Sequence, residues 1–144
     1  MKSTAKKKVF CFCITMLLGL AVLGGCSLGK VTLTAKEWTC PVGTKEIACT
    51  WRNGTLKEIS FGAFFRLETR AGGEWIEMEP VNELIFVTIG YGLWPAGRME
   101  RTYKTGHYYG PLPAGQYRIA AEYSVKAGAA NAEDCPAYAE FEVK

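Results

Sequence analysis

From Lys30 to Lys144 the chain is a succession of short apolar–polar alternations cut by turn residues, and no ten-residue stretch shows a clear helical repeat. Val31, Leu33 and Ala35 alternate with Thr32, Thr34 and Lys36, and Pro41-Val42-Gly43 makes a turn. Ile47, Cys49 and Trp51 alternate with Ala48, Thr50 and Arg52 up to the breaker Asn53-Gly54. Ile59–Thr69 reads as one aromatic-rich strand, and Ala71-Gly72-Gly73 turns it into Trp75–Met78, closed by Pro80. Leu84–Ile89 is a continuous apolar run, expected to be buried on both sides or to lie at a crossover between sheets. Pro95-Ala96-Gly97 is a turn, Arg98–Thr105 a polar edge strand, and Gly106–Gly115 a loop. Tyr117–Val125 and Ala137–Val143 are the last strands, with a loop over Ala127–Asp134. About eight strands with turns roughly every 8–12 residues are the pattern of a two-sheet sandwich. The expected fold is therefore an all-β sandwich of about seven to eight antiparallel strands over residues 31–144.

Residues 1–25 read as a targeting segment outside that fold. Lys2, Lys6, Lys7 and Lys8 form a basic head, followed by the uncharged run Val9–Leu23. Its 15 residues fall short of the roughly 20 that a membrane-spanning helix needs. The run ends in Leu23-Gly24-Gly25-Cys26, which resembles the lipobox of bacterial lipoproteins at all four positions. That resemblance implies cleavage before Cys26, acylation of its thiol, and attachment to the extracytoplasmic face of the cell membrane. Residues 26–30 are then a lipidated cysteine and a short tether, since only Ser27, Leu28 and Gly29 separate Cys26 from strand-like sequence.

The same cut changes the charge argument. The full chain carries 17 basic and 14 acidic residues, but four lysines precede Cys26, leaving 13 basic against 14 acidic. The positive charge of the whole chain belongs to its leader, and nothing in the remainder points to a nucleic-acid partner.

Chemistry-bearing residues are sparse. His107 is the only histidine, Asp134 the only aspartate, and serines after the leader occur at 27, 60 and 124. A nucleophile–base–acid set drawn from Ser60 or Ser124, His107 and Asp134 has no supporting spacing, and no Gly-x-Ser-x-Gly elbow occurs. Ala71-Gly72-Gly73 joins strands, whereas phosphate-binding loops precede a helix N-terminus. No catalytic residue, cofactor or metal is expected.

Leu112-Pro113-Ala114-Gly115-Gln116-Tyr117 places a tyrosine at the start of a strand just after a turn. This resembles the tyrosine corner of Greek-key sandwiches, whose phenol bonds to an upstream backbone group. The segments Cys40–Ile47, Lys57–Gly62, Gly73-Glu74-Trp75, Ile89-Gly90-Tyr91 and Tyr108-Tyr109-Gly110, in that order, resemble a bacterial immunoglobulin-like domain family. The family occurs in lipoproteins and membrane-attached proteins of Gram-positive bacteria. The resemblance implies an immunoglobulin-like β-sandwich without catalytic residues. Cys40, Cys49 and Cys135 depart from the family pattern.

Three thiols outside the cytoplasm allow one disulfide. Sandwich topology brings the start of the last strand near the end of the second, so Cys49–Cys135 is the expected pair, with Cys40 as the alternative partner. The other reading has all three as buried thiols. A metal site is weakly supported, because no Cys-x-x-Cys pair exists and His107 is far from all three in sequence.

The expected function is a membrane-anchored surface lipoprotein with a noncatalytic interaction or accessory domain, meeting the bilayer through Cys26 and an envelope protein or glycan through its surface. Among Trp38, Tyr91, Trp94, Tyr108 and Tyr109, Trp94 is the aromatic best placed to lie outside, beside the Pro95-Ala96-Gly97 turn. Tyr91, Trp94, Arg98 and Arg101 form the candidate binding surface. The alternative is a proteinase inhibitor presenting a loop such as Gly106–Gly115 from the sandwich, a reading that rests on fold analogy.

Overall fold

A computed structural model describes residues 29–126 and 134–144. The leader over residues 1–25, the Leu23–Cys26 motif and most of the Ala127–Asp134 loop lie outside the described residues.

The strands are β1 (Val31–Ala35), β2 (Thr39–Cys40), β3 (Ile47–Asn53), β4 (Ile59–Phe61), β5 (Arg66–Ala71), β6 (Glu74–Glu77), β7 (Tyr91–Leu93), β8 (Arg98–Tyr103), β9 (Gly115–Val125) and β10 (Asp134–Val143), with one short helix, α1 (Thr105–Tyr109). They form two sheets. The smaller has the order β1-β3-β8; the larger runs β2-β10-β9-β4-β7, with β5 also paired to β9 and β6 to β5. All pairings are antiparallel except β2 with β10, which is parallel. Alternation dictates the packing: Ile47, Cys49, Trp51 and Asn53 of β3 are buried and face Ile59, Phe61, Leu67, Tyr117, Ile119, Phe141 and Val143 of the larger sheet.

Trp51 occupies the centre of this core. It stacks on Phe61 with ring centroids 4.3 Å apart, meets Tyr123 edge-on at 6.2 Å, and donates its indole N–H to the Tyr103 hydroxyl at 2.9 Å. The expected tyrosine corner is present. The Tyr117 hydroxyl donates to the Pro113 carbonyl at 2.8 Å, and the ring stacks on Phe141 at 5.7 Å.

The Ile59–Thr69 segment is two strands instead of one. Both pair with β9, but Phe61 is opposite Tyr123 and Arg66 opposite Ala120, so five steps along one strand match three along the other. The two surplus residues make a bulge at Gly62–Phe65, which turns Phe65 into the core while Phe64 stays partly exposed. Beyond it, Gly72 and Gly73 both take positive φ, 59° and 86°, in the two-residue turn that joins β5 to β6. This primed geometry matches the twist of the strands and suits glycine.

Gly106–Gly115 is no projecting loop. It opens with the rest of α1, and the buried Tyr109 accepts the Leu67 backbone N–H at 3.1 Å. Gly106 lies so close to Lys45 that an added Cβ would sit 2.8 Å from the Lys45 Cα, and its N–H donates to the Lys45 carbonyl at 2.8 Å. The segment is consequently fastened to the body on two sides.

Among the described residues the expected Cys49–Cys135 disulfide is not formed, and neither of these cysteines is bridged to Cys40. The physical reason is level along the strands. Cys135 is in register with Tyr123 of β9, and the β3 residue whose ring meets Tyr123 is Trp51, two positions beyond Cys49. Trp51, and not Cys49, is thus the β3 residue that meets the strand pair carrying Cys135. Cys49 is fully buried, and burial pushes its thiol up to about 12, with Cys40 a smaller contribution in the same direction. Cys135 interacts with the Tyr123 hydroxyl.

Candidate functional site

The residues expected to form a binding surface cluster where the chain passes from the larger sheet to the smaller. β7 is an edge strand of the larger sheet and β8 an edge strand of the smaller, joined by Trp94–Gly97. That turn is closed by the Gly97 N–H donating to the Trp94 carbonyl at 2.9 Å, with Ala96 at φ 59°. Trp94 is left outside the core, 70% exposed.

Arg101, on the strand expected to be a polar edge, turns inward. Met99, Arg101 and Tyr103 share the inward register of β8, and Arg101 lays its guanidinium over the Tyr91 ring, 4.0 Å from the centroid. Tyr91 in turn stacks on Phe61 at 5.6 Å. The cation closes the seam between the two sheet edges, which a larger apolar side chain would otherwise have to fill. Arg98 points outward. Thus Tyr91 and Arg101 meet, while Trp94 and Arg98 belong to the exposed end beyond them. Of the other aromatics singled out, Trp38 is exposed, Tyr108 is half-buried, and Tyr109 belongs to the core.

The apolar run Leu84–Ile89 is not a buried strand. The segment from Glu79 to Gly90 crosses the open side of the sandwich without pairing into either sheet. Phe86 plugs it in place, meeting Phe64, Phe65 and Tyr108 at centroid distances of 5.3, 5.6 and 4.9 Å. The Tyr108 hydroxyl donates to the Ile85 carbonyl at 2.8 Å, and Asn82 Nδ2 donates to the His107 carbonyl at 2.6 Å. Leu84 and Phe86 turn inward; Ile85 and Val87 turn outward, 69% and 65% exposed, with Val81 and Ile89 also on the surface. Period-2 alternation of a run that is apolar at all positions but Thr88 leaves one apolar row in solvent. The composition conceals this, because both faces read alike.

An open groove of about 450 Å³ lies between this segment, the Gly62–Phe65 bulge and the ends of β9 and β10, and includes Ser60, Ser124 and Asp134. Ser124 donates to Asp134 at 2.7 Å. His107 lies at the opposite end, on α1, with its ring against Tyr108 at 4.7 Å. Among the described residues, no group of three or more His, Cys, Asp or Glu side chains is placed to hold a metal.

A second surface feature gives no sequence signal beyond strand alternation. On the outer face of the larger sheet, Arg118 lies between the Trp75 and Tyr138 rings at 4.7 and 4.0 Å and pairs with Glu68, and Arg70 covers Trp75 at 5.7 Å. The four strands involved, β6, β5, β9 and β10, are successive neighbours in the sheet, whereas Trp75 is 43 residues from Arg118 and 63 from Tyr138 along the chain.

The two-sheet core, the corner at Tyr117 and the parallel β2–β10 contact define an immunoglobulin-like sandwich domain. The chain belongs to the bacterial Ig-like domain family, whose pattern matches residues 27–142. No curated protein matches the chain. Among solved structures it is similar to a chain in the crystal structure of the CsuC–CsuE chaperone–tip adhesion subunit pre-assembly complex from archaic chaperone-usher Csu pili of Acinetobacter baumannii. Identity is 10% and the TM-score 0.41, over 77% of this chain and 56% of that one. The chain thus spans little more than half the length of that neighbour.

Proposed function

We propose that the protein is a lipid-anchored, noncatalytic interaction module on the extracytoplasmic face of the cell membrane. The observation that carries this is the Leu23-Gly24-Gly25-Cys26 motif three residues upstream of Gly29, where the sandwich begins. Acylation through two or three chains would make attachment stable, where one chain is marginal. Among the described residues no helix is long and apolar enough to cross a membrane. The reading assigns no reaction, because His107 and the Ser124–Asp134 pair occupy opposite ends of the sandwich. The outward row of Val81, Ile85, Val87 and Ile89 is the surface on which an envelope protein or glycan would act.

Replacing Cys26 with Ala in the full chain should release the protein from the membrane fraction or leave it unprocessed. Normal processing with an unchanged membrane fraction would refute the anchor.

A further inference from the structure

The geometry points to a second membrane contact, in which the end of the sandwich bearing Leu56 and Trp94 rests on an anionic lipid surface. This rests on the anchoring at Cys26 and says which end of the domain the bilayer meets.

Three observations converge on that end. The first is where the chain enters. The Gly29 N–H donates to the Gly54 carbonyl at 2.8 Å and the Gly54 N–H to the Lys30 carbonyl at 2.9 Å, so the chain joins the sandwich beside the β3 terminus. The three residue steps from Cys26 to Gly29 reach at most about 11 Å. Whatever Cys26 is attached to therefore faces this end.

The second is its apolar tip. Leu56 is 94% exposed and Trp94 70%, on two neighbouring loops that are held rigidly. The buried Asn53 fastens both: its Nδ2 donates to the Lys57 carbonyl at 2.8 Å and to the Leu93 carbonyl at 2.9 Å, while its Oδ1 accepts the Thr55 N–H and hydroxyl at 3.0 and 2.7 Å. A rigid scaffold that holds a leucine and a tryptophan out in solvent suits the interfacial zone of a bilayer, where an indole has both an apolar body and a polar N–H to place.

The third is charge. Lys30, Arg52, Lys57 and Arg98 are exposed around the tip. Arg52 and Arg98 occupy directly opposed positions on β3 and β8, an arrangement that like charges disfavour unless an anion lies between or over them. Among the described residues, negative charge at this end comes from Glu58, which is held by Lys126 at 2.7 Å, and from Asp134. A phosphate-rich surface would satisfy the cations while the headgroup zone takes Leu56 and Trp94.

The test uses the chain from residue 27 onward, which contains every strand and the whole core but lacks Cys26. It should sediment with phosphatidylcholine vesicles containing phosphatidylglycerol, much less with phosphatidylcholine alone, and less as salt rises. Lys57→Gln and Arg98→Gln should each lower partitioning about fivefold. Leu56→Ser with Trp94→Ser should lower it about tenfold or more. Unchanged melting of the variants separates surface loss from unfolding, and a blue shift of tryptophan emission that disappears in Trp94→Phe locates the contact. Absence of vesicle binding, variants that bind as well as the parent, or binding to soluble polyphosphate without binding to vesicles would each overturn the inference. Because this chain has no Cys26, those outcomes leave the anchor standing, whereas fractionation of Cys26→Ala addresses the anchor alone.

Discussion

The indole N–H of Trp51 and the hydroxyl of Tyr103 meet at 2.9 Å inside the core, a polar contact between β3 and β8 of the same sheet. Both rings also contact the larger sheet or the bulge next to it, Trp51 through Phe61 and Tyr103 through Phe65 at 5.0 Å. Tyr103→Phe keeps that packing and strands the indole N–H without a partner. We expect a loss of about 1–3 kcal/mol in urea unfolding, the cost of a buried unsatisfied donor. A change below about 0.5 kcal/mol would mean that the indole finds another acceptor.

Tyr103 and the nearby Cys49 make the domain sensitive to alkali. Burial pushes Tyr103 up to about 12 from an ordinary 10, against the opposing effect of the Trp51 bond, and burial pushes Cys49 up to about 12 from 9. Above pH 9 the unfolded chain releases these protons while the folded chain retains them, so unfolding is favoured. Stability contributed by the neutral groups is fully present below pH 9 and falls between about pH 9 and 12, each unit of difference being worth about 1.4 kcal/mol. Cys49→Val should move the onset of the fall toward pH 10, visible in melting temperature against pH. An identical profile in parent and variant would count against the assignment to Cys49.

Tyr117→Phe removes the bond to the Pro113 carbonyl while keeping the stack on Phe141. The carbonyl lies near the surface and can take water, so the expected loss is about 1 kcal/mol. Equal stability of the two proteins would remove the energetic role of the corner.

Thr105 is fully buried, and among the described residues its hydroxyl has no hydrogen-bond partner. Thr105→Val replaces that hydroxyl by a methyl of similar shape. The variant should be as stable as the parent or more stable by about 1 kcal/mol, measured by chemical denaturation. A clear loss would show that the hydroxyl is satisfied in solution.

Digestion under non-reducing conditions should yield no Cys49–Cys135 cross-linked peptide, since Trp51 occupies the level of β3 that faces Tyr123 and its partner Cys135. Recovery of that peptide would require β3 to slide by two residues.

What could be read from the sequence was whatever is encoded locally. The alternation at Ile47, Cys49 and Trp51 names the buried face of β3 because its polar neighbours supply contrast, and the Tyr117 corner spans only five residues. Where contrast was missing the reading failed. Leu84–Ile89 is apolar at every position but Thr88, so its exposed row could not be told from its buried one. The bulge at Gly62–Phe65 depends on register against β9, nearly 60 residues away, and the expected disulfide rested on topology without that register. At the candidate surface, Trp94 was found through its turn. The contact of Arg101 with Tyr91 was not, because it forms only when two sheet edges are brought together.

The parallel contact of β2 with β10 has a mechanical consequence. The chain enters the sandwich beside Gly54 and β10 ends at the opposite pole, where the Glu142 N–H bonds to the Trp38 carbonyl at 2.7 Å and the Lys144 N–H to the Cys40 carbonyl at 3.0 Å. A pull between Gly29 and Lys144 would drag these two strands past each other lengthwise. Their bonds would then carry the load together instead of opening one after another, so the seam would resist tension as a clamp instead of peeling as a zipper.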